Sequence, residues 1–188
     1  MGYDFIVNGD IIREEARQDT PLGKNITELI NDGELVPDDM AIYLLEKHIA
    51  SQPDTHGLII DGFPRTVPQA EYLDKDMPPT HVMVIDLPYD VALKRVAGRV
   101  VCPSGHTFNI YYVKSAVEGI CDHDGLPLTK RADDSETAVR KRLDIYTNVT
   151  KPIIDYYKKT NRVSVVDGNR SVADVAKDIE VIVQAHAH

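Results

Sequence analysis

Four short runs of apolar residues, rich in valine and isoleucine, constrain the fold of this 188-residue chain more than any other feature. They lie at residues 5–7, 58–60, 82–85 and 163–166. Their apolar residues are continuous rather than alternating, which is typical of parallel strands covered on both faces. Longer segments with helical periodicity separate the runs. The alternation predicts an α/β fold in which helices flank a parallel sheet.

Proline, glycine and hydroxyl residues mark where the helices between these runs begin and end. Thr20 and Pro21 predict the start of one helix, and Gly33 predicts its end. Pro37 and Pro88 each predict the start of another helix, because proline fits the first helical turn.

The stretch from about residue 100 to residue 128 breaks this pattern. It contains several turn-forming glycines and prolines, both cysteines and a β-type run at residues 108–112. We interpret it as a small inserted subdomain of short strands and turns, which inside a compact domain often serves as a lid. After it, a long helix is predicted to begin at residues 134–136 and to be kinked at Pro152.

Composition narrows the classes of function. The formal net charge of −9 disfavours nucleic-acid binding, since an acidic surface repels phosphates. No apolar stretch approaches the ~18 residues that suggest a membrane span, and the first residues do not have the pattern of a signal peptide. Two cysteines are too few for a disulfide scaffold. We therefore expect a cytoplasmic protein that binds neither nucleic acid nor membranes.

A polar turn with three chemically useful residues follows the second apolar run. Ligands of open α/β sheets bind at the carboxyl ends of strands. There Asp61 is suited to hold magnesium through water, Gly62 allows close backbone approach, and the Arg65 guanidinium matches a phosphate. The alternative is an ordinary polar turn with a surface arginine.

A second strand-to-helix junction covers residues 8–13. We place Arg13 on the first turn of the following helix, near its positive end, where anions bind well; a capped helix start with a solvated arginine is the alternative. Arg95 and Arg99 are four residues apart, and we place them on one helix face. Each arginine alone is most simply a surface ion pair, but the whole set indicates a polyanion site.

Taken in order and spacing, these motifs resemble the adenylate kinase family. The resemblance runs from about Gly2 to about Val183 and is carried by residues 9–13, 20–23, 33–36, 61–66, Gln69, 98–99, 103–105, 117–119, 131–134, 137–142 and 166–168. It implies a P-loop-kinase-like core at residues 1–98 and 134–188, with an AMP-binding helical part at about 8–37, and a lid at 99–133.

The resemblance also implies a role for individual residues. Those that would bind AMP are Asn8, Arg13, Val36, Gly62, Arg65, Gln69, Arg131 and Arg142. Those that would face ATP are Arg95 and Arg99. The residues that would act on the transferring phosphoryl group and its Mg²⁺ are Arg99, Arg131, Arg142 and Asp61. The implied reaction is reversible phosphoryl transfer from ATP to AMP, which gives two ADP.

The sequence departs from the family in lacking a phosphate-binding loop of the form G-x-x-x-x-G-K-[ST]. Its Gly23–Lys24 pair is followed by Asn25, and Gln18 stands where the first glycine should be. The first strand, the P-loop and the first helix of the family therefore have no counterpart here. We expect a fragment that aggregates or is complemented by an N-terminal segment, whereas a complete member would be monomeric. The alternative is a non-catalytic AMP-binding or regulatory pseudokinase.

The nucleobase preference is a second point of departure. Val7 and Asn8 replace the pair of small hydroxyl residues that family members carry near the base of the monophosphate. This leaves the preference for AMP open. The long insert argues against short-lid relatives such as UMP/CMP kinases.

The insert carries a candidate structural zinc site. Its ligands would be Cys102, His106, Cys121 and Asp124, spaced as Cys-x3-His and Cys-x2-Asp. Ser104 and His123 are competing ligands. Two reduced thiols in a hydrogen-bonded lid are the alternative, and a zinc-dependent nucleic-acid module is a third interpretation that the acidic charge disfavours.

Overall fold

A computed structural model describes residues 3–52 and 57–186. The chain forms two compact units, the first made of Met1–Val82 and Ile145–Val163, the second of Met83–Asp144 and Ser164–His188. The predicted division into a core and a lid insert stays a prediction beside this division. No described helix is long and apolar enough to cross a membrane.

Among its described residues, the first unit contains two strands and six helical segments. In chain order they are β1 (Asp4–Val7), α1 (Asn8–Ala16), α2 (Pro21–Asn31), α3 (Asp38–Ala50), β2 (Leu58–Asp61), α4 (Val67–Asp76), a π-helical segment (Tyr146–Thr150) and α7 (Pro152–Lys158). β1 and β2 pair in parallel, from Asp4 opposite Leu58 to Val7 opposite Asp61. This pairing confirms the α/β class and the parallel sheet predicted from the apolar runs.

Local chemistry explains where the helices of the first unit begin. The Thr20 hydroxyl accepts a 2.9 Å hydrogen bond from the Gly23 amide, and Pro21 occupies the first turn of α2. A side chain at Gly23 would place its Cβ 2.3 Å from the carbonyl oxygen of Gln18. The Gly23–Lys24 pair therefore lies inside a helix, and its glycine serves packing.

Two clusters of buried residues form the core around α3. One contains Ile6, Leu45 and Phe63, and the other contains Ile26 and Val36. Because α3 contributes to both clusters, it fixes β1, α1 and α2 in place around the end of the β1–β2 sheet. The core of this unit therefore supports the edge where both strands end.

The second unit holds the remaining elements. They are β3 (Val82–Asp86), α5 (Tyr89–Ala97), β4 (Arg99–Val101), β5 (Thr107–Asn109), a 3-10 turn (Ala132–Asp134), α6 (Glu136–Ile145), β6 (Val163–Asp167) and α8 (Val172–His186). β3 pairs with β6, and β4 pairs with β5 in antiparallel orientation. Within the insert, Cys102, Phe108 and Cys121 form a small buried cluster.

The long helix predicted after the insert is two helices. α6 ends at Ile145, and a five-residue π-helical segment separates it from α7, whose first residue is Pro152. Proline lacks an amide hydrogen and fixes its own φ, so it begins a new helical segment here. The wider π turn lies before the proline.

The prediction that the strands are covered on both faces was wrong. Ile6 and Val166 are buried, whereas Phe5 and Val165, which are their neighbours along β1 and β6, are 64% and 57% exposed. Successive side chains of a strand point to opposite faces. β1 and β6 are therefore each covered on one face in the described structure.

Two local predictions in the second unit also need correction. Arg99 does not share a helix face with Arg95, because α5 ends at Ala97 and Arg99 begins β4. The predicted β-run at residues 108–112 is a strand only as far as Asn109. The Asn109 side chain accepts hydrogen bonds from the amides of Tyr111 and Tyr112, which closes a turn in place of a longer strand.

Candidate functional site

The carboxyl ends of β1 and β2 bring two predicted site residues to one sheet edge. Val7 lies opposite Asp61, so Asn8 and Gly62 follow at the same edge. The Asn8 side chain is buried, and its Oδ1 atom has no hydrogen-bond partner among the described residues. An unsatisfied buried acceptor costs about 1–3 kcal/mol. This atom is therefore a candidate acceptor for a hydrogen bond from a ligand.

The turn after β2 is held by hydrogen bonds to the backbone of Arg65. Its amide donates to Gln69 Oε1 (2.7 Å), and its carbonyl oxygen accepts from the Thr150 hydroxyl (2.9 Å). The Arg65 Nε atom donates to the carbonyl oxygen of Gly62 (3.1 Å), whose φ of 78° favours glycine. The turn is thus a fixed structure rather than a loose surface turn.

Gln69 is connected in turn to the start of α3. Its side chain is buried, and its Nε2 atom donates to Asp38 Oδ1 (2.7 Å). The Thr66 hydroxyl donates to the same oxygen (2.8 Å) and accepts from the Gln69 amide as the N-cap of α4. Sequence reasoning missed Asp38, because an acidic residue on a first helical turn is an ordinary helix-start signal.

The remaining predicted residues of the first unit lie in three different environments. Arg13 lies in the last turn of α1, since the helix begins at Asn8, so its predicted first-turn position was wrong. Its side chain reaches back toward the helix start, bonds Asp10 and lies against Gly9. Val36 is buried in the core. Asp61 is exposed at the end of β2.

In the second unit, two predicted arginines converge on one buried carboxylate. Asp134 accepts from Arg99 Nε (2.8 Å) and Nη2 (2.7 Å), and its Oδ1 also accepts from Arg142 Nη1 (3.3 Å). The Asp134 side chain is fully buried. Arg142 also lies 3.7 Å from Asp133 Oδ2. The two guanidinium groups are thus held beside one buried carboxylate, and their charges are offset by Asp133 and Asp134.

The other two predicted arginines of this unit are anchored differently. The carbonyl oxygen of Arg131 accepts from the Asp134 amide, which closes the 3-10 turn. Arg95 Nη1 donates to the carbonyl oxygen of Gly168 (2.9 Å), and its guanidinium lies 5.4 Å from the centre of the Tyr112 ring. The Arg95 side chain therefore links the end of β6 to the lid.

The four predicted metal ligands come together in the lid. The ligand atoms of Cys102, His106, Cys121 and Asp124 all lie within 4.8 Å of one another. His106 Nδ1 lies 3.3 Å from Cys102 Sγ, 3.5 Å from Cys121 Sγ and 3.1 Å from Asp124 Oδ2. Ligands of tetrahedral zinc at about 2.0–2.3 Å are roughly 3.3–3.8 Å apart. The donor set therefore fits zinc.

Electrostatics within this group favour a protonated Cys121 thiol beside an ionised Asp124 carboxylate. Burial raises the pKa of the Cys121 thiol, and its hydrogen bond with Asp124 raises it further. The same bond is the main reason that the pKa of the Asp124 carboxyl is well below its usual range. Of the competing ligands, His123 packs its ring against His106 and Phe108.

Comparison with known proteins places these features in one family. A family model described as adenylate kinase matches residues 1–162. The adenylate kinase of Thermodesulfovibrio yellowstonii is 39% identical over 97% of this chain and 88% of that protein. The enzymes of Chloroherpeton thalassium and Carboxydothermus hydrogenoformans are 41% and 38% identical, over 94% and 98% of this chain and 84% and 89% of theirs.

Proposed function

This chain belongs to the adenylate kinase family, and from that membership we propose that it serves reversible phosphoryl transfer from ATP to AMP, which gives two ADP. Phosphoryl transfer needs little covalent chemistry from the protein and depends on positioning and charge neutralisation. In this chain the fixed turn after β2 would supply positioning, and the arginines would supply charge neutralisation. We expect the protein to act in the cytoplasm on nucleotides.

The observation that carries this proposal is a set of polar groups at the edge of the β1–β2 sheet, on Asn8, Gly62, Arg65 and Gln69, which we call the strand-edge group. It offers a buried free acceptor at Asn8 Oδ1 and a guanidinium on the turn fixed through Arg65, Gly62 and Gln69. We assign the monophosphate nucleotide to this group. The residues proposed to bind it within the first unit are Asn8, Arg13, Val36, Gly62, Arg65 and Gln69.

The arginines of the second unit would neutralise charge. We assign Arg99, Arg131 and Arg142 to the transferring phosphoryl group, with Arg95 and Arg99 facing ATP. A phosphoryl group offers oxygens like those of the Asp134 carboxylate, on which Arg99 and Arg142 converge. Bound nucleotide would therefore compete with Asp134 for these two guanidinium groups.

Magnesium would accompany ATP in this reaction. When bound, the ion neutralises phosphate charge and bridges phosphate oxygens. The exposed carboxylate of Asp61, at the end of β2, is suited to hold it through water. The lid would hold zinc on Cys102, His106, Cys121 and Asp124, and four protein ligands leave no open position for chemistry.

A non-catalytic role in binding AMP is the second candidate. It is favoured by the absence of a G-x-x-x-x-G-K-[ST] segment from the 188 residues, since that loop cradles ATP phosphates. The strand-edge group of the first unit does not require such a loop. Both candidates therefore share monophosphate binding and differ in turnover.

Calorimetry with AMP tests the shared step. We expect Arg65→Ala to weaken AMP binding by about 1.5–3 kcal/mol, the scale of a hydrogen bond to a charged group. The fold should persist, because the bonds from Gln69 and Thr150 are to the Arg65 backbone. Arg140→Ala, which removes an exposed arginine paired with Glu136, is the matched control and should leave binding unchanged. Equal affinity in the Arg65→Ala and unmodified chains would remove Arg65 from the site.

A further inference from the structure

One carboxylate oxygen outside the predicted site organises the strand-edge group. Asp38 Oδ1 accepts from Gln69 Nε2 at 2.7 Å and from the Thr66 hydroxyl at 2.8 Å. It joins the first turn of α3 to the first turn of α4. Gln69 connects Asp38 to the turn after β2, because its Oε1 accepts from the Arg65 amide at 2.7 Å.

The chemistry of these partners fixes which way the Gln69 carboxamide faces. An ionised aspartate only accepts hydrogen bonds, and a backbone amide only donates. The nitrogen of Gln69 must therefore face Asp38, and its oxygen must face Arg65. A rotation of the carboxamide by half a turn would break both bonds and set like groups against each other. Among the described residues, the side chain is held at both ends.

The fixed carboxamide of Gln69 also determines where its unused hydrogen-bond donor and acceptor lie. Its nitrogen carries two hydrogens and its oxygen two lone pairs, and one of each is used within the protein. One donor and one acceptor are left at fixed positions. Adenine presents the complementary pair, an N1 acceptor beside an N6 amino donor. Hypoxanthine presents an N1–H donor beside an O6 acceptor, which is the reverse order.

We propose that Asp38 is a positioning residue that sets nucleobase specificity by fixing the orientation of the Gln69 carboxamide. This inference rests on the proposed function, in which Gln69 takes part in binding the monophosphate nucleotide. Asp38 itself does not touch the ligand. It makes the donor–acceptor order of Gln69 favour a 6-amino purine over a 6-oxo purine.

The test compares AMP with inosine monophosphate, which carries hypoxanthine, by calorimetry on the full chain. In Asp38→Asn, the side chain can present either oxygen or nitrogen to Gln69, so only the Arg65 amide still fixes the orientation of the carboxamide. We expect the ratio of AMP to inosine monophosphate affinity to fall by about tenfold, the equivalent of roughly one hydrogen bond. Asp38→Ala, which leaves the Gln69 nitrogen unfixed, should also lower the ratio.

The neighbouring Asp39 provides a matched control. It lies on the same first turn of α3, and its Oδ1 accepts from the amide of Met40, the next residue in the chain. Asp39→Asn removes the same charge from the same helix end, so it should reproduce any loss of α3 stability and leave the affinity ratio within about twofold. Thermal melting of each variant separates folding from specificity.

The possible results distinguish a failure of the Asp38 inference from a failure of the proposed nucleotide binding. If the unmodified chain prefers AMP and both Asp38 variants keep that preference, or lose affinity for both nucleotides equally, Asp38 is structural and the inference is wrong. If the unmodified chain binds neither nucleotide, the proposed function fails and the inference fails with it. A fall of the ratio confined to the Asp38 variants supports the inference.

Discussion

At the scale of single residues, the site is defined by which polar atoms have partners. The backbone of Arg65 is bonded on both sides, through Gln69 and Thr150. Asn8 Oδ1, at the same sheet edge, is buried and has no partner within the described structure. A protein tolerates such an acceptor where a ligand will satisfy it. We propose that the bonded atoms build the site and that Asn8 Oδ1 contacts the ligand.

We expect Asn8→Ala to separate ligand binding from stability. It should weaken AMP binding by about 0.5–1.5 kcal/mol, the net value of one hydrogen bond. Removing the unsatisfied acceptor offsets the lost packing, so the free energy of unfolding without ligand should change by less than about 1 kcal/mol. Urea unfolding and calorimetry measure the two effects. Asn25→Ala, at an exposed position of α2, is the control.

The hypothesis for Asn8 fails if the variant binds AMP as well as the unmodified chain. A loss of more than about 2 kcal/mol in unfolding free energy would indicate instead that the side chain stabilises the start of α1.

At the scale of elements, the proposed lid has only a small core among the described residues. Its core consists of Cys102, Phe108 and Cys121, with Val100 and Leu128 packed against them. So few buried residues stabilise a subdomain weakly, and small domains often depend on a metal. Two of the three core residues are also candidate metal ligands. Packing and metal binding in the lid therefore depend on the same side chains.

We expect protein purified without chelator to contain about one zinc ion per chain. A Cys102→Ser, Cys121→Ser double variant should lose the zinc and melt at a lower temperature, because metal binding free energy contributes to folding. Elemental analysis and thermal melting measure these effects. His123→Ala and Ser104→Ala, at the competing positions, should keep the metal. Zinc-free protein whose melting is unaffected by chelator would show that hydrogen bonds alone hold the lid.

Zinc binding should also weaken as pH falls. Zinc binds the thiolate, and in the metal-free lid burial raises the pKa of the Cys121 thiol, which keeps its proton near neutral pH. Binding must therefore release that proton, so affinity should increase with pH until the thiol would ionise without metal. Calorimetry in buffers of different ionisation enthalpy counts the released protons. Zinc binding without proton release at neutral pH would contradict the protonated thiol.

At the scale of the whole molecule, each of the two units carries its own part of the proposed chemistry. The first unit carries the strand-edge group. The second carries the proposed lid and the two arginines, Arg99 and Arg142, that bond Asp134. Both units expose apolar strand residues, namely Phe5 in the first and Ile85 and Val165 in the second. Exposed apolar faces on strands favour association with other chains. The expected aggregation or complementation of this chain stays a prediction.

We expect the 188 residues by themselves to bind AMP without measurable phosphoryl transfer, because they contain no G-x-x-x-x-G-K-[ST] loop and the proposed transfer needs that loop to be supplied. A coupled assay for ADP measures the turnover. A rate within about tenfold of a typical enzyme value of ~10 per second would overturn the expectation. Supplying a family P-loop segment, fused or in trans, should restore some activity. The Arg65→Ala chain treated in the same way is the control and should stay inactive.

The sequence by itself determined the order of strands and helices, the family and the four lid residues. Periodicity, capping residues and ligand spacing are local properties, so neighbouring residues reveal them. Helix ends depend on the same local signals, and a glycine or proline marked most of them. The start of α1 had no such mark, because Val7 makes no side-chain cap bond, and Arg13 was placed on the wrong turn.

Only the tertiary structure decided which polar groups meet. Asp38 bonds Gln69 across 31 positions of sequence, and Thr150 bonds Arg65 across 85. The pairing of Arg99 with Asp134 spans 35. Contacts at such separations depend on how helices and strands pack, and one sequence carries no local pattern for them. The tertiary structure also decided which strand faces are buried, because the same Val- and Ile-rich runs suit a strand covered on one face or on both.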